Sequence, residues 1–167
     1  MRVASGAGAA RTGNLAGFAV CVGLLGYALY SQHALGLEPC PLCILQRIAV
    51  LFTGLLFLGA ALHRAGRAGA IAWGSLIAVV AAIGVAIAAR HVWITAQPPG
   101  TVAECGASLD YMLDVLPLRE VLAKVLTGSG ECGKVDWRFL GLSMPAWVLA
   151  WLLALGAWGL FVNLRRR

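Results

Sequence analysis

The chain has 167 residues, of which 60% are hydrophobic and 12% charged, with a mean hydropathy of +0.84 and a net charge of +6. That length has room for one domain, and the composition argues against a water-soluble core, because soluble domains are about half apolar and about a quarter charged. The positive balance does not mark a nucleic-acid binder: the basic residues flank apolar stretches, an arrangement that membrane topology explains.

In chain order, Arg2 and Arg11 precede a first apolar stretch over about residues 15–35, with Cys21 inside it. A cleaved signal peptide over the first 34 or so residues is a rival reading. The apolar run is longer than a usual signal core, however, and leads directly into residues with chemistry of their own. A short outer loop over about 32–43 follows, then a second stretch over about 44–62 that Gln46 and Arg47 interrupt near its start. The third stretch, about 68–89, carries no charge. A long loop over about 91–138 contains Pro98-Pro99-Gly100, which breaks the chain as it leaves the third stretch. The fourth stretch, about 139–164, holds Pro145 and ends in Arg165, Arg166 and Arg167. Each stretch is long enough to cross about 30 Å of hydrocarbon as a helix. The expected fold is therefore all-α, with four transmembrane helices in a single membrane domain over 1–167.

Within the long loop, Leu118, Val121, Leu122, Val125 and Leu126 follow the spacing of one helical face. Pro117 suits the first turn of such a helix, Glu120 and Lys124 form an i, i+4 pair, and Gly128 can end it. A short helix lying in the membrane interface is expected there; a packed loop helix without a special role is the alternative. Trp93, Trp137 and Trp147 suit an aromatic belt at the same surface.

Four spans put both termini on one side. That side holds Arg2, Arg11, Arg64, Arg67 and the three terminal arginines, with no acidic residue. All seven acidic residues fall on the other side. The Lys/Arg bias predicts cytoplasmic termini, which places Cys40, Cys43, Cys105 and Cys132 on the outer face, where disulfides persist.

Glu38-Pro39-Cys40-Pro41-Leu42-Cys43-Ile44-Leu45-Gln46-Arg47 is the most informative run. A C-x-x-C suits reversible thiol–disulfide exchange. It opens the second span, where the partial positive charge of a helix N-terminus favours a thiolate. Arg47 lies four residues after Cys43 and projects from the same face. An intramembrane arginine is a functional candidate by default: it can stabilise a thiolate or the charge that develops on a quinone oxygen. The alternative is an arginine snorkelling to headgroups.

Cys105 and Cys132 have 26 residues between them. Closing that loop as a structural staple is worth about 3–4 kcal/mol in the chain-entropy model; the functional reading is a pair that exchanges with a soluble partner. Structural zinc takes closely spaced ligand pairs, which the second pair lacks. Haem attachment needs a histidine where Ile44 stands. Cys21, mid-helix, reads as a small buried hydrophobe.

The C-x-x-C with its arginine, Arg90-His91 after the third span, the distant Cys105 and Cys132, and Trp137-Arg-Phe-Leu-Gly-Leu-Ser-Met-Pro-Ala-Trp147 together resemble the DsbB family of bacterial disulfide-bond-formation membrane proteins over nearly the whole chain. The resemblance implies a four-helix bundle with Cys40–Cys43 beside a bound ubiquinone or menaquinone and Arg47 assisting that quinone. It implies that Cys105–Cys132 meets a DsbA-like periplasmic thiol oxidase, with Cys105 forming the mixed disulfide. Electrons then pass to Cys40–Cys43 and on to the membrane quinone pool. His91 falls near the quinone by the same resemblance; a plain interfacial histidine is the other reading. The vitamin K epoxide reductase family runs similar chemistry, but its C-x-x-C is expected near the end of a late span. A membrane scaffold with two static disulfides is the non-enzymatic alternative, and it leaves Arg47 without a role.

Overall fold

The computed structural model describes residues 3–63, 66–98, 109–127, 132 and 137–165. Four long helices dominate: α1 (Val3–His33), α2 (Pro41–Leu62), α3 (Arg67–Thr95) and α6 (Met144–Leu164). Between α3 and α6 lie two short helices, α4 (Leu109–Val115) and α5 (Leu118–Thr127), and two short strands, β1 (Arg138–Phe139) and β2 (Leu142–Ser143). All four long helices are long and apolar enough to cross a membrane.

Local chemistry sets the helix ends. At the start of α2, Cys40 has extended backbone, its sulfur accepts the amide N–H of Cys43, and Pro41 occupies the first turn, where its missing N–H is no loss. The helix ends where His63 turns extended and its N–H closes on the Gly59 carbonyl. Helix α3 continues through Arg90, His91 and Trp93 to Thr95, because no helix breaker occurs before Pro98. His91 is thus a helical residue in the last turns of α3, where a loop starting near 91 was expected. The fourth apolar stretch begins near 139, but α6 starts only at Met144. Leu140 and Gly141 adopt φ of 50° and 80°, a left-handed pair that no α-helix admits and that closes a tight hairpin. Arg138 pairs with Ser143 and Phe139 with Leu142.

The long helices form an up-down bundle in which α1 packs on α2, α2 on α3, α3 most extensively on α6, and α6 back on α1. Its centre is built from Cys21, Val50, Phe57, Ala60, Ile77, Leu152 and Leu155, so Cys21 is the buried small hydrophobe expected of it. Phe57 fits because Gly17 faces it: a Cβ at Gly17 would lie 2.7 Å from the ring. Small residues let helices approach in this way where lipid supplies no hydrophobic drive. Near the end opposite the cysteines, Asn14 of α1 and Asn163 of α6, both buried, exchange reciprocal amide hydrogen bonds at 3.2 and 3.0 Å. The outward faces carry Phe52, Leu55, Val79, Ile83, Leu153 and Phe161, all exposed. In water that would be an aggregating surface; around a bundle of spanning helices it is the lipid-facing belt.

Helix α5 is the amphipathic helix expected from its spacing. Val121 and Val125 are buried with Leu42, Ile94, Met112 and Cys132, whereas Leu118 is exposed. Glu120 lies 3.9 Å from Arg119 in an exposed ion pair, an interaction worth about 0–1 kcal/mol. Gly128, expected to end this helix, lies outside the described residues.

Candidate functional site

The site forms where the start of α2 meets the last turns of α3. Cys40 caps α2, so its sulfur sits at the positive end of the helix dipole. Its Sγ lies 3.2 Å from Cys43 Sγ, and both are half-buried thiols in this structure. One turn on, Gln46 is buried and its side-chain amide lies 2.9 Å from His91 Nδ1. The other ring nitrogen, Nε2, is 3.7 Å from Cys40 Sγ and 3.2 Å from the carbonyl oxygen of Cys132. The sulfurs of Cys40 and Cys132 and the His91 imidazole all lie within 4.8 Å of one another. Cys132 is 1% exposed, sealed beneath Val121 and Val125 of α5.

Arg47 turns toward α1. Its guanidinium donates to the Gln32 side-chain oxygen and, at 3.1 Å, to the Ala28 carbonyl. The charge is thereby anchored within the bundle and not carried out to headgroups, and a guanidinium with five N–H donors still has some to spare. Arg47, Cys40, Cys43, Gln46 and His91 all line a cavity of about 330 Å³. Leu24, Val50, Val148 and Trp151 supply apolar walls, and Tyr27, Trp137 and Trp147 an aromatic side. Those aromatics brace each other: Trp137 meets Tyr27 edge-on and stacks on Phe139, and the indole N–H of Trp147 donates to the Phe139 carbonyl. The hairpin thus holds the aromatic side in place. Trp93 stands apart, exposed beneath the Arg90 guanidinium at 4.3 Å.

Of the residues singled out from sequence, Cys40, Cys43, Arg47, His91 and Cys132 come together here; Cys105 lies outside the described residues. Sequence reasoning missed Gln46 as a partner of His91. Its signal was a polar residue beside Arg47 in an otherwise apolar helix, but nothing local points from it to a residue on α3. Nor did spacing show that Cys132 would lie against Cys40. The lining suits a flat apolar ring that carries a polar oxygen, since apolar and aromatic side chains form most of it and Arg47 can donate to such an oxygen.

Known proteins resemble this chain over nearly its whole length. The family model of the Disulfide bond formation protein DsbB matches residues 10–162. Disulfide bond formation protein B of Methylococcus capsulatus (strain Bath) is 53% identical over 151 residues, covering 90% of this chain and 92% of the relative. The protein of that name from Xanthomonas campestris pv. campestris (strain 8004) is 49% identical over 154 residues, 92% and 90% of the two chains. That of Chromobacterium violaceum is 46% identical over 157 residues, 94% and 95%. A four-helix membrane bundle carrying these cysteines, matched over nearly its whole length, belongs to the DsbB family of disulfide bond formation proteins.

Proposed function

We propose that this protein is a quinone-dependent thiol oxidase of the bacterial inner membrane, a single membrane domain with both termini in the cytoplasm. It takes electrons from a DsbA-like periplasmic thiol oxidase at Cys105–Cys132, passes them to Cys40–Cys43, and delivers them to ubiquinone or menaquinone. The observation that carries this reading is the closeness of the Cys132 and Cys40 sulfurs, within 4.8 Å, while Cys43 and Arg47 share the adjoining cavity. Two static staples would give no reason for one cysteine of each pair to meet.

The order of the relay follows from access. A soluble partner's sulfur cannot reach a Cys132 that is 1% exposed, which supports Cys105 as the residue that meets the partner. Attack of the partner's thiolate on Cys105 forms the mixed disulfide and breaks the Cys105–Cys132 bond; the Cys132 thiolate then attacks Cys40 of the Cys40–Cys43 disulfide and releases Cys43 toward the cavity. A bound quinone supplies a two-electron acceptor there. Arg47 would hold a polar oxygen and offset negative charge in a low-dielectric wall, His91 would line the same pocket, and the apolar walls would exclude water. The test is quinone-coupled oxidation of a reduced DsbA-like partner by Cys40→Ala. Loss of the coupling to below background is expected; coupling that survives the substitution overturns the relay.

A further inference from the structure

Exchange between Cys132 and Cys40 needs a thiolate, yet a cysteine is mostly protonated at neutral pH, and Cys132 is sealed from water. The proton needs a carrier within the site. Arg47 cannot take it, since a guanidinium is always protonated. His91 Nε2, 3.7 Å from Cys40 Sγ and 3.2 Å from the Cys132 carbonyl, stands at the junction of the two sulfurs. Its other nitrogen is held by Gln46 at 2.9 Å, with both side chains buried.

We propose, building on the relay above, that His91 is the base for the Cys132-to-Cys40 exchange and that Gln46 is its positioning residue. The Cys132 thiol gives its proton to Nε2. The thiolate attacks the Cys40 sulfur of the Cys40–Cys43 disulfide; a Cys132–Cys40 bond forms, the Cys40–Cys43 bond breaks, and the electron pair leaves on Cys43. One disulfide replaces another, and the proton rests on the imidazolium beside the new thiolate. A carboxamide suits this task. With its oxygen toward Nδ1–H it leaves Nε2 bare to accept the proton; with its NH₂ toward Nδ1 it leaves the Nε2–H donating to the Cys132 carbonyl. It orients the ring in either form without fixing a charge on it, as a carboxylate would. Among the described residues, the other titratable or charged groups around this wall are Cys43 and Arg47 of α2, Glu38 of the first outer loop and Tyr27 of α1; on α3 itself, Arg90 turns to Trp93. Glu38 is the competing base.

The test follows formation of the Cys40–Cys132 bond by acid quench, alkylation and peptide mapping. The full chain in nanodiscs, freed of quinone, is mixed anaerobically with reduced partner across pH 5–9. His91→Asn keeps a polar side chain but no base; it should slow bond formation about 10²-fold, the lower end of general-base effects, and flatten the pH dependence. Gln46→Glu should move the rising limb to higher pH, because a carboxylate holds the imidazolium. Glu38→Gln should leave the profile in place. Profiles of His91→Asn and Gln46→Glu that superimpose on the parent overturn the proposal, as does a limb that moves with Glu38→Gln instead. A parent protein that oxidises its partner by way of a Cys40–Cys132 bond while the variants behave alike overturns this role alone. A parent that forms no such bond overturns the relay and the role with it.

Discussion

Arg47 illustrates at the residue scale how much a local pattern discloses. Its place one turn after Cys43 is legible in the sequence, and so is the expectation that a charge so deep in an apolar stretch has a task. Its partners, Gln32 and the Ala28 carbonyl on another helix, are not, because nothing local encodes which α1 residue will face α2. The fork geometry yields a prediction. Arg47→Lys keeps the charge but cannot reach both acceptors as a planar guanidinium does. Losing charge-assisted hydrogen bonds of about 1.5–3 kcal/mol should slow quinone reduction roughly ten- to a hundredfold while leaving the Cys40–Cys132 exchange intact, which stopped-flow absorbance and peptide mapping separate. The Gln46–His91 contact was hidden for the same reason: each residue is an isolated polar side chain along its own helix and gains meaning only when α2 and α3 pack.

At the scale of elements, the spacing of apolar residues foretold α5, and the C-x-x-C foretold the start of α2. The purpose of α5 was not legible, because periodicity identifies an apolar face but not what it covers. Val121 and Val125 close over Cys132. Placing a charge in that seal with Val121→Asp should open it, raising the rate at which a water-soluble maleimide modifies Cys132 in the reduced protein by at least about tenfold; an unchanged rate would show that α5 does not guard this sulfur. The hairpin before α6 was missed because Phe139-Leu-Gly-Leu142 reads as a continuation of the apolar stretch, and only the left-handed Leu140 and Gly141 divide it. At the far end of the bundle, the Asn14–Asn163 pair is two unremarkable polar residues in sequence and a reciprocal amide clasp in the fold. A double-mutant cycle with Asn14→Ala and Asn163→Ala, read by thermal unfolding in detergent, should give a coupling of about 0.6–2 kcal/mol, the range of interhelical hydrogen bonds in membranes; additive losses would deny the clasp an energetic role.

For the whole molecule, composition alone argued for a membrane bundle, since four apolar stretches can satisfy their backbone groups in lipid only as helices. What composition cannot convey is the convergence on which the proposed relay rests: a helix, α5, that buries Cys132, a capped helix start that presents Cys40, and a cavity lined by Cys43. The distribution of charge predicts the orientation of the bundle, with all seven acidic residues on the side opposite the termini. A fluorescent protein that folds only in the cytoplasm, fused after Arg167, should therefore fluoresce; a dark fusion would invert the topology. The most direct test of the relay is anaerobic. Purified protein is mixed with a reduced DsbA-like partner and quinone, and loss of quinone absorbance is followed together with loss of partner thiols. One quinone reduced per two thiols lost, abolished in Cys43→Ala, is the predicted result. Partner thiols that persist beside an unreduced quinone, with both cysteine pairs inert to exchange, would contradict the account and leave two structural disulfides in their place.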